Sequence, residues 1–181
     1  CYYTSYSGTV PTDNGYSGKA AEISSLGFGE GSTYSQTTGG WTAKKRAAGM
    51  LFIGSHSAIA GGESETFDYG HVFTVRPTGF KFYYKFKSMN SESFKAYIVV
   101  ENRDQNSVTE LGRGELVRNQ DQSSFVEAKV DVKYLNTSLK ATHMYIVFIS
   151  STASVPALDV VKGSVGEFSG NADSRFVGNV L

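Results

Sequence analysis

The feature that most constrains the fold is the alternation of apolar and polar residues between Gly79 and Asp104. Side chains along a β-strand point to opposite faces at every second residue, so this pattern is typical of strands with one buried and one solvent-facing side. A polar segment, residues 88–93, divides the stretch in two. We therefore predict an antiparallel hairpin whose first strand has a buried aromatic face and a wet tyrosine–lysine face: Phe80, Phe82, Tyr84 and Phe86 inward, and Lys81, Tyr83, Lys85 and Lys87 outward.

Further strands are predicted on both sides of this hairpin. Ala48–Gly54 suits a strand buried on both faces. Ala141–Ser151 is apolar at both its odd and its even positions, which makes it the best candidate for a central strand. Gly112 and Gly114 indicate a bulge or bend in a strand over Val108–Arg118. Other expected strands are Lys19–Leu26, His71–Val75, Phe125–Tyr134 and one beginning at Phe176; expected loops are Gly27–Gly40, Ser55–Tyr69 and Thr152–Ser174; the one weak helical signal is Thr42–Ala48.

Many short strands joined by glycine-containing turns are typical of an all-β fold, an antiparallel β-sandwich of jelly-roll type. With 181 residues, 40% of them hydrophobic, the chain is long enough for one domain over residues 1–181 that removes about 70% of its unfolded surface from water. Its 17 basic and 17 acidic residues balance, so we predict no nucleic-acid partner. No apolar run approaches the roughly 20 residues of a transmembrane segment.

Cys1 is the only cysteine, so the chain alone cannot form a disulfide. Two interpretations stay open for it. It is either a plain free thiol or the lipid-modified N-terminal cysteine of a bacterial surface lipoprotein, which would supply a lipid anchor.

Catalytic and cofactor signatures are absent from the sequence. The histidines are isolated, and neither a Gly-x-Ser-x-Gly turn nor a phosphate-binding glycine loop occurs. We predict no metal site and no cofactor, with a structural calcium ion left open because oxygen-bearing side chains are adjacent at two places. The histidines are His56, His71 and His143, and the two places are Asp13–Asn14 and Asn171–Asp173.

Acidic residues on the predicted strands could supply the two carboxyl groups of a glycoside hydrolase, which lie about 5–10 Å apart. Basic residues are interspersed with them, so we predict cross-strand ion pairs on a solvated face instead. The acids are Glu101, Asp104, Glu110, Glu115, Glu127 and Asp131, and the bases include Lys85, Arg103, Arg113 and Lys129.

Sugar binding requires exposed aromatic rings beside planar polar groups. We predict a face site at Tyr83, Tyr97, Glu101 and Arg103, all on the wet side of the hairpin, and a loop site at Trp41. Two alternatives stay open: Trp41 fills the core at the sandwich edge, and the tyrosines form ordinary cross-strand pairs.

Six segments of the chain resemble, in the same order, the family called "Putative carbohydrate metabolism domain". The resemblance implies a jelly-roll fold similar to carbohydrate-binding modules, a polysaccharide or glycan partner, and an extracellular or bacterial cell-surface (outer membrane) location, within a larger assembly or through a lipid anchor. It implies no catalytic residues. Members usually extend beyond both ends of these segments, so the chain resembles a fragment without flanking strands. The segments are Gly18–Ser25, Ala47–Gly54, Gly70–Pro77, Gly79–Phe86, Tyr145–Ser151 and Val177–Leu181.

We predict from these observations a non-catalytic carbohydrate-binding module of a secreted or surface-anchored bacterial protein, of the kind used in glycan utilisation. Two alternatives remain: a structural or adhesion β-sandwich that binds a protein partner, and a glycoside hydrolase.

Overall fold

The computed structural model of the protein describes residues 8–28, 34–35, 40–41, 45–58, 65–88, 91–153 and 174–180. These residues form strands and no helix, and every strand pairing among them is antiparallel. The strands are β1 (Thr9–Thr12), β2 (Ala20–Phe28), β3 (Tyr34–Ser35), β4 (Gly40–Trp41), β5 (Lys45–Ala47), β6 (Met50–Phe52), β7 (Gly54–Ala58), β8 (Glu65–Tyr69), β9 (His71–Val72), β10 (Gly79–Phe86), β11 (Phe94–Arg103), β12 (Val108–Arg118), β13 (Gln122–Asp131), β14 (Lys133–Tyr134), β15 (His143–Ile149) and β16 (Ser174–Val180).

Most of these strands belong to two sheets of six strands each. The first, called the β10 sheet, has the order β1-β2-β16-β10-β13, with β5 beside β2. The second, called the β11 sheet, has the order β14-β12-β11-β15-β6, with β9 also paired to β15. Two further pairs, β3–β4 and β7–β8, form separate two-stranded sheets. The all-β antiparallel prediction is confirmed, and the jelly-roll arrangement within it stays a prediction.

The hydrophobic core lies between the two sheets. Its buried members come from β10 and β13 on one side and from β11 and β12 on the other: Tyr84, Phe86, Phe94, Ala96, Ile98, Leu116 and Val130. Phe80 and Phe82 pack against this cluster, so the predicted inward face of β10 is confirmed. Along β10, inward-facing core residues alternate with outward-facing polar or aromatic residues, because successive side chains of a strand point to opposite faces.

The predicted β10–β11 hairpin is wrong, although both of its strands exist. Strand β10 pairs with β13 and β16, whereas β11 pairs with β12 and β15 in the opposite sheet. The chain therefore crosses from one sheet to the other between Phe86 and Phe94, whose ring centroids are 4.9 Å apart. Alternation indicates which face of a strand is buried, but it cannot distinguish a neighbour within the sheet from a partner across the core.

The bulge predicted in strand β12 is confirmed. Val100 lies opposite Gly112 and Glu101 lies opposite Glu110, so the register shifts by one residue there. Gly114 serves a close approach of strands: a Cβ atom at this position would lie 2.3 Å from the backbone oxygen of Asp131.

Several other expectations were wrong in detail. The segment Thr42–Ala48, for which a weak helical tendency was predicted, contains strand β5 instead. Residues 42–44 lie outside the described part of the chain. The loop expected at Ser55–Tyr69 contains the β7–β8 hairpin, and the strand expected at His71–Val75 ends at Val72. Strand β6 is half-buried instead of fully buried. The predicted strand at Lys19–Leu26 is confirmed as β2, the central position of Ala141–Ser151 as β15, and the C-terminal strand as β16; most of the connection Thr152–Ser174 lies outside the described residues.

Candidate functional site

The outer face of the β11 sheet, which points away from the core, concentrates aromatic and charged side chains. Tyr97, Val99 and Glu101 project from its central strand, β11, at every second position. Val99 is 0% exposed although it points away from the core, so side chains on the outer face cover it. The cross-strand register places around these three residues Glu115 and Val147, then Arg113 and Tyr145, then Glu110 and His143.

Six aromatic rings follow one another across this face, and we call them the aromatic strip. The strip begins on the β7–β8 hairpin, where the rings of His56 and Phe67 lie 4.7 Å apart. It continues through Phe52, Tyr69 and Tyr145 to Tyr97 on β11. The remaining centroid distances are 5.7 Å for Phe67–Phe52, 5.0 Å for Phe52–Tyr69, 5.4 Å for Tyr69–Tyr145 and 6.3 Å for Tyr145–Tyr97. Aromatic rings at such spacings form one continuous apolar surface.

Two cations lie near the Tyr97 end of the strip. The Lys95 ammonium is 5.3 Å and the Arg113 guanidinium 5.6 Å from the centroid of Tyr97, within the range of cation–π attraction. Arg113 donates to Glu110 through Nε and Nη2 at 3.1 and 2.9 Å, and Lys95 Nζ is 2.7 Å from Glu115 Oε2. The guanidinium, the ammonium and their carboxylates therefore lie beside the ring of Tyr97, which is half-buried.

A second charge cluster lies where strands β8 and β11 meet. Glu101 is 8% exposed and accepts a 2.8 Å hydrogen bond from Arg103 Nε. Arg103 also donates to the backbone oxygen of Tyr69 and lies 3.5 Å from a carboxylate oxygen of Asp68. Because Arg103 bonds the backbone of Tyr69, it fixes the strand that carries a ring of the aromatic strip.

The surroundings of Tyr145 and Tyr97 raise the pKa of both side chains. Burial, followed by the negative charge of Glu101, raises the pKa of Tyr145 to about 12. Burial also raises the pKa of Tyr97, while the charge of Arg113 acts in the opposite direction. At neutral pH both hydroxyls therefore carry a proton and can donate hydrogen bonds to a ligand.

The structure brings three of the predicted site residues together and separates two. Tyr97, Glu101 and Arg103 share the outer face of the β11 sheet. Tyr83 lies on the outer face of the β10 sheet, so the prediction that it shares a face with Tyr97 is wrong, for the same reason as the hairpin. Trp41 pairs with Tyr34 in the short hairpin β3–β4, and its side chain lies outside the described part of the chain.

Tyr83 has its own aromatic surroundings. Its ring stacks on Tyr16 with the centroids 3.9 Å apart and the planes 4° from parallel. Its hydroxyl donates a 2.9 Å hydrogen bond to Glu127 Oε2, and this bond raises the pKa of Tyr83. Tyr83 is thus covered on one side by another ring.

Sequence reasoning missed the residues of the site that come from distant segments, among them Tyr69 and Tyr145. Tyr145, Val147 and Ile149 lie at alternate positions, so the sequence predicts that they share one face of a strand. It does not predict which residues of other strands lie beside Tyr145. Tyr69 lay in a segment interpreted as a loop, which concealed its place on a strand.

Within the described part of the chain, the predicted cross-strand ion pairing is confirmed for two of the six acidic residues and wrong for the other four. Cross-strand pairs are Glu115–Lys95 and Glu127–Lys81 at 2.7 and 3.1 Å. Within single strands the pairs are Glu101–Arg103, Glu110–Arg113 and Asp131–Lys129. Asp104 instead accepts hydrogen bonds from Asn106 and Ser107, which lowers the pKa of its carboxyl group.

The described residues include neither a cluster of metal ligands nor a helix that could span a membrane. Among them, no three His, Cys, Asp or Glu side chains converge as ligands would, and no helix has the length and apolar character to cross a membrane. Asp13 forms an exposed ion pair with Lys19 at 3.5 Å. Cys1 and the pair Asn171–Asp173 lie outside the described residues.

Comparisons with other proteins give a family and two similar structures. The family model described as "Putative carbohydrate metabolism domain" matches residues 3–162. A solved structure titled a putative glycoside hydrolase from Bacteroides thetaiotaomicron is 18% identical with a TM-score of 0.64, and the match covers 96% of this chain and 54% of that one. A second, titled a putative glycoside hydrolase from Bacteroides vulgatus, is 17% identical with a TM-score of 0.64, covering 96% and 74%. The chain thus spans about half of the first relative and three quarters of the second. Identities this low bear on the fold alone. A comparison with curated proteins finds no significant match.

Proposed function

We propose that this chain, which belongs to the "Putative carbohydrate metabolism domain" family, is a non-catalytic carbohydrate-binding module that holds a glycan on the aromatic strip. Membership in the family makes it a carbohydrate-related domain. The binding role and its location on the strip are our inference from the geometry.

The observation that carries the proposal is the run of rings that ends at Tyr145 and Tyr97, 6.3 Å apart and bordered by Arg113. The C–H face of a pyranose packs well on an aromatic ring, and its hydroxyl groups need donors and acceptors at the ring edge. Arg113 and Glu110 supply both, and the two tyrosine hydroxyls supply more.

The charges on this face favour a neutral glycan. Three described cations lie near the strip, and each is bound to a carboxylate: Lys95 to Glu115, Arg113 to Glu110, and Arg103 to Glu101 and Asp68. A uronate or sulfate group would have to displace one of these carboxylates, whereas a hydroxyl group can bond to either partner without breaking the pair. Binding of a neutral glycan should therefore depend little on ionic strength.

Affinity electrophoresis tests the proposal with starch, β-glucan, galactomannan and xyloglucan as immobilised probes. We expect retention by at least one of them, weakened about tenfold, or about 1.4 kcal/mol, when either ring is removed by Tyr97→Ala or Tyr145→Ala. Tyr83→Ala is the matched control, since it removes a tyrosine from the opposite outer face. Retention by none of the probes, or equal weakening by all three variants, contradicts the proposal, and a protein partner captured by the same face would favour an adhesion role.

Glycoside hydrolysis is the second candidate, and one observation favours it. Glu101 and Glu110 lie directly opposite each other on adjacent strands and on the same face, an arrangement that resembles the close carboxyl pair of retaining glycosidases. Hydrolysis needs one of the two to carry a proton as the general acid, and here both carboxylates are bound to arginines. Release of reducing sugar from any of the four polymers, lost in Glu110→Gln, would overturn the non-catalytic role.

The cellular location is part of the proposal. We place the module outside the cell or on the outer surface of a bacterium, as part of a larger protein or on a lipid anchor. The bacterial source of the two similar structures supports a bacterial host. Fractionation of the native host, with the protein labelled by antibody on intact cells, tests this location.

A further inference from the structure

The outer face of the β10 sheet carries an exposed aromatic ring on a built support. Tyr16 belongs to the turn between β1 and β2 and is 60% exposed. One side of its ring lies flat on Tyr83 at 3.9 Å, and Phe125 meets it edge-on at 6.1 Å and 67°. The opposite side of the Tyr16 ring therefore faces outward as a flat apolar surface.

The surface is fixed in orientation before any ligand arrives. The turn that carries Tyr16 is closed by a 3.0 Å hydrogen bond from Gly15 N to Gly18 O, with Gly18 at φ +73°, a conformation that glycine adopts without strain. Below it, the hydroxyl of Tyr83 is held by Glu127. A ring that is already ordered loses little conformational entropy when it binds.

The charge of this face is not balanced in the way that the charge of the aromatic strip is. Lys81 is bound to Glu127 at 3.1 Å and Lys129 to Asp131 at 2.6 Å. Lys85 instead has its ammonium 4.5 Å from the ring centroid of Phe125, and in the part of the chain that the structure describes it forms no ion pair. One positive charge thus lies beside the rings, and none of the described carboxylates forms an ion pair with it.

We propose that this face is a second carbohydrate site, for an acidic sugar: a uronic acid residue stacks on Tyr16 and its carboxylate pairs with Lys85. The ring supplies the apolar contact that any pyranose needs, and the ammonium selects for the charged one. The site lies on the opposite side of the sandwich from the aromatic strip and uses none of its residues. It rests on the proposed function only in taking carbohydrate as the class of ligand, and neutral probes test the strip separately, so either site can fail without the other.

Isothermal titration calorimetry with trimers of galacturonate, glucuronate, mannuronate and guluronate tests the site, with galactose, glucose and mannose trimers as neutral counterparts. We expect at least one acidic trimer to bind and its affinity to fall with added salt. Tyr16→Ala should abolish binding, and Tyr16→Phe, which keeps the stack, should retain it and so controls for folding.

Two lysine variants test the charge. Lys85→Gln should weaken binding of the acidic trimer about fivefold, which corresponds to one partly exposed ion pair, and should remove most of its salt dependence. The matched control is Lys129→Gln, whose ammonium is already bound to Asp131 and which should change binding little. The proposal is overturned if no acidic trimer binds, if Tyr16→Ala binds as the wild type does, or if Lys85→Gln and Lys129→Gln have equal effects.

Discussion

Replacing Phe94 by alanine tests whether the core lies between the two sheets. Phe94 is 3% exposed, and its ring lies 4.9 Å from the rings of both Tyr84 and Phe86 in the opposite sheet. The lost transfer free energy and the cavity left between these rings together cost about 3–5 kcal/mol of unfolding free energy. That is a large fraction of the roughly 5–15 kcal/mol that stabilises a typical domain.

Thermal unfolding followed by circular dichroism measures the effect. For a chain of this size, about 4 kcal/mol corresponds to a decrease of about 8–16 °C in the unfolding midpoint. Val108→Ala is the control: Val108 is 62% exposed, and its truncation should change the unfolding free energy by less than about 0.5 kcal/mol. If Phe94→Ala cost less than about 1 kcal/mol, the ring would not lie between the sheets and the fold described here would be wrong.

Three further outcomes follow from the packing and the charges. Gly114→Ala should destabilise the protein by about 1–3 kcal/mol in urea unfolding, because its Cβ atom would lie 2.3 Å from the backbone oxygen of Asp131; an unchanged midpoint would mean that β12 and β13 are farther apart. Glu101→Ala should cost about 2 kcal/mol in the same assay, since it removes a buried carboxylate bonded to Arg103, and a neutral effect would mean that this pair is solvated. Burial raises the pKa of Tyr145 to about 12 in the folded protein, whereas an unperturbed tyrosine has a pKa of 10.0. The unfolded chain therefore loses this proton first, and stability should fall as pH rises from 10 to 12. Tyr145→Phe should reduce this alkaline loss, and an identical pH profile would contradict the burial of the hydroxyl.

The sequence predicted individual strands well because the local period of a strand is visible in it. The alternation around Phe82 and Tyr84 correctly predicted the inward face of β10. Around Val147 the residues on both faces are apolar, and this pattern correctly predicted a central strand. These features depend on residues two positions apart.

The grouping of strands into sheets could not be predicted in the same way. Tyr83 and Tyr97 are 14 positions apart and have the same parity, yet the crossing between sheets places them on opposite outer faces. Which sheet a strand joins depends on contacts between distant segments, such as Phe52 with Val147, and on the geometry of the loops. The spacing of apolar residues along the chain predicts neither of these. The aromatic strip was missed as a unit for this reason, since its rings come from β6, β7, β8, β11 and β15.

The most direct test of the account compares one tyrosine from each outer face in the same binding assay. Wild type, Tyr97→Ala and Tyr83→Ala are run on gels containing the neutral polysaccharide that retains the wild type, after thermal unfolding has shown that all three are folded. We predict that Tyr97→Ala loses about tenfold in affinity and that Tyr83→Ala is retained as the wild type is. Loss of retention in Tyr83→Ala with no change in Tyr97→Ala would contradict the claim that the glycan binds on the outer face of the β11 sheet.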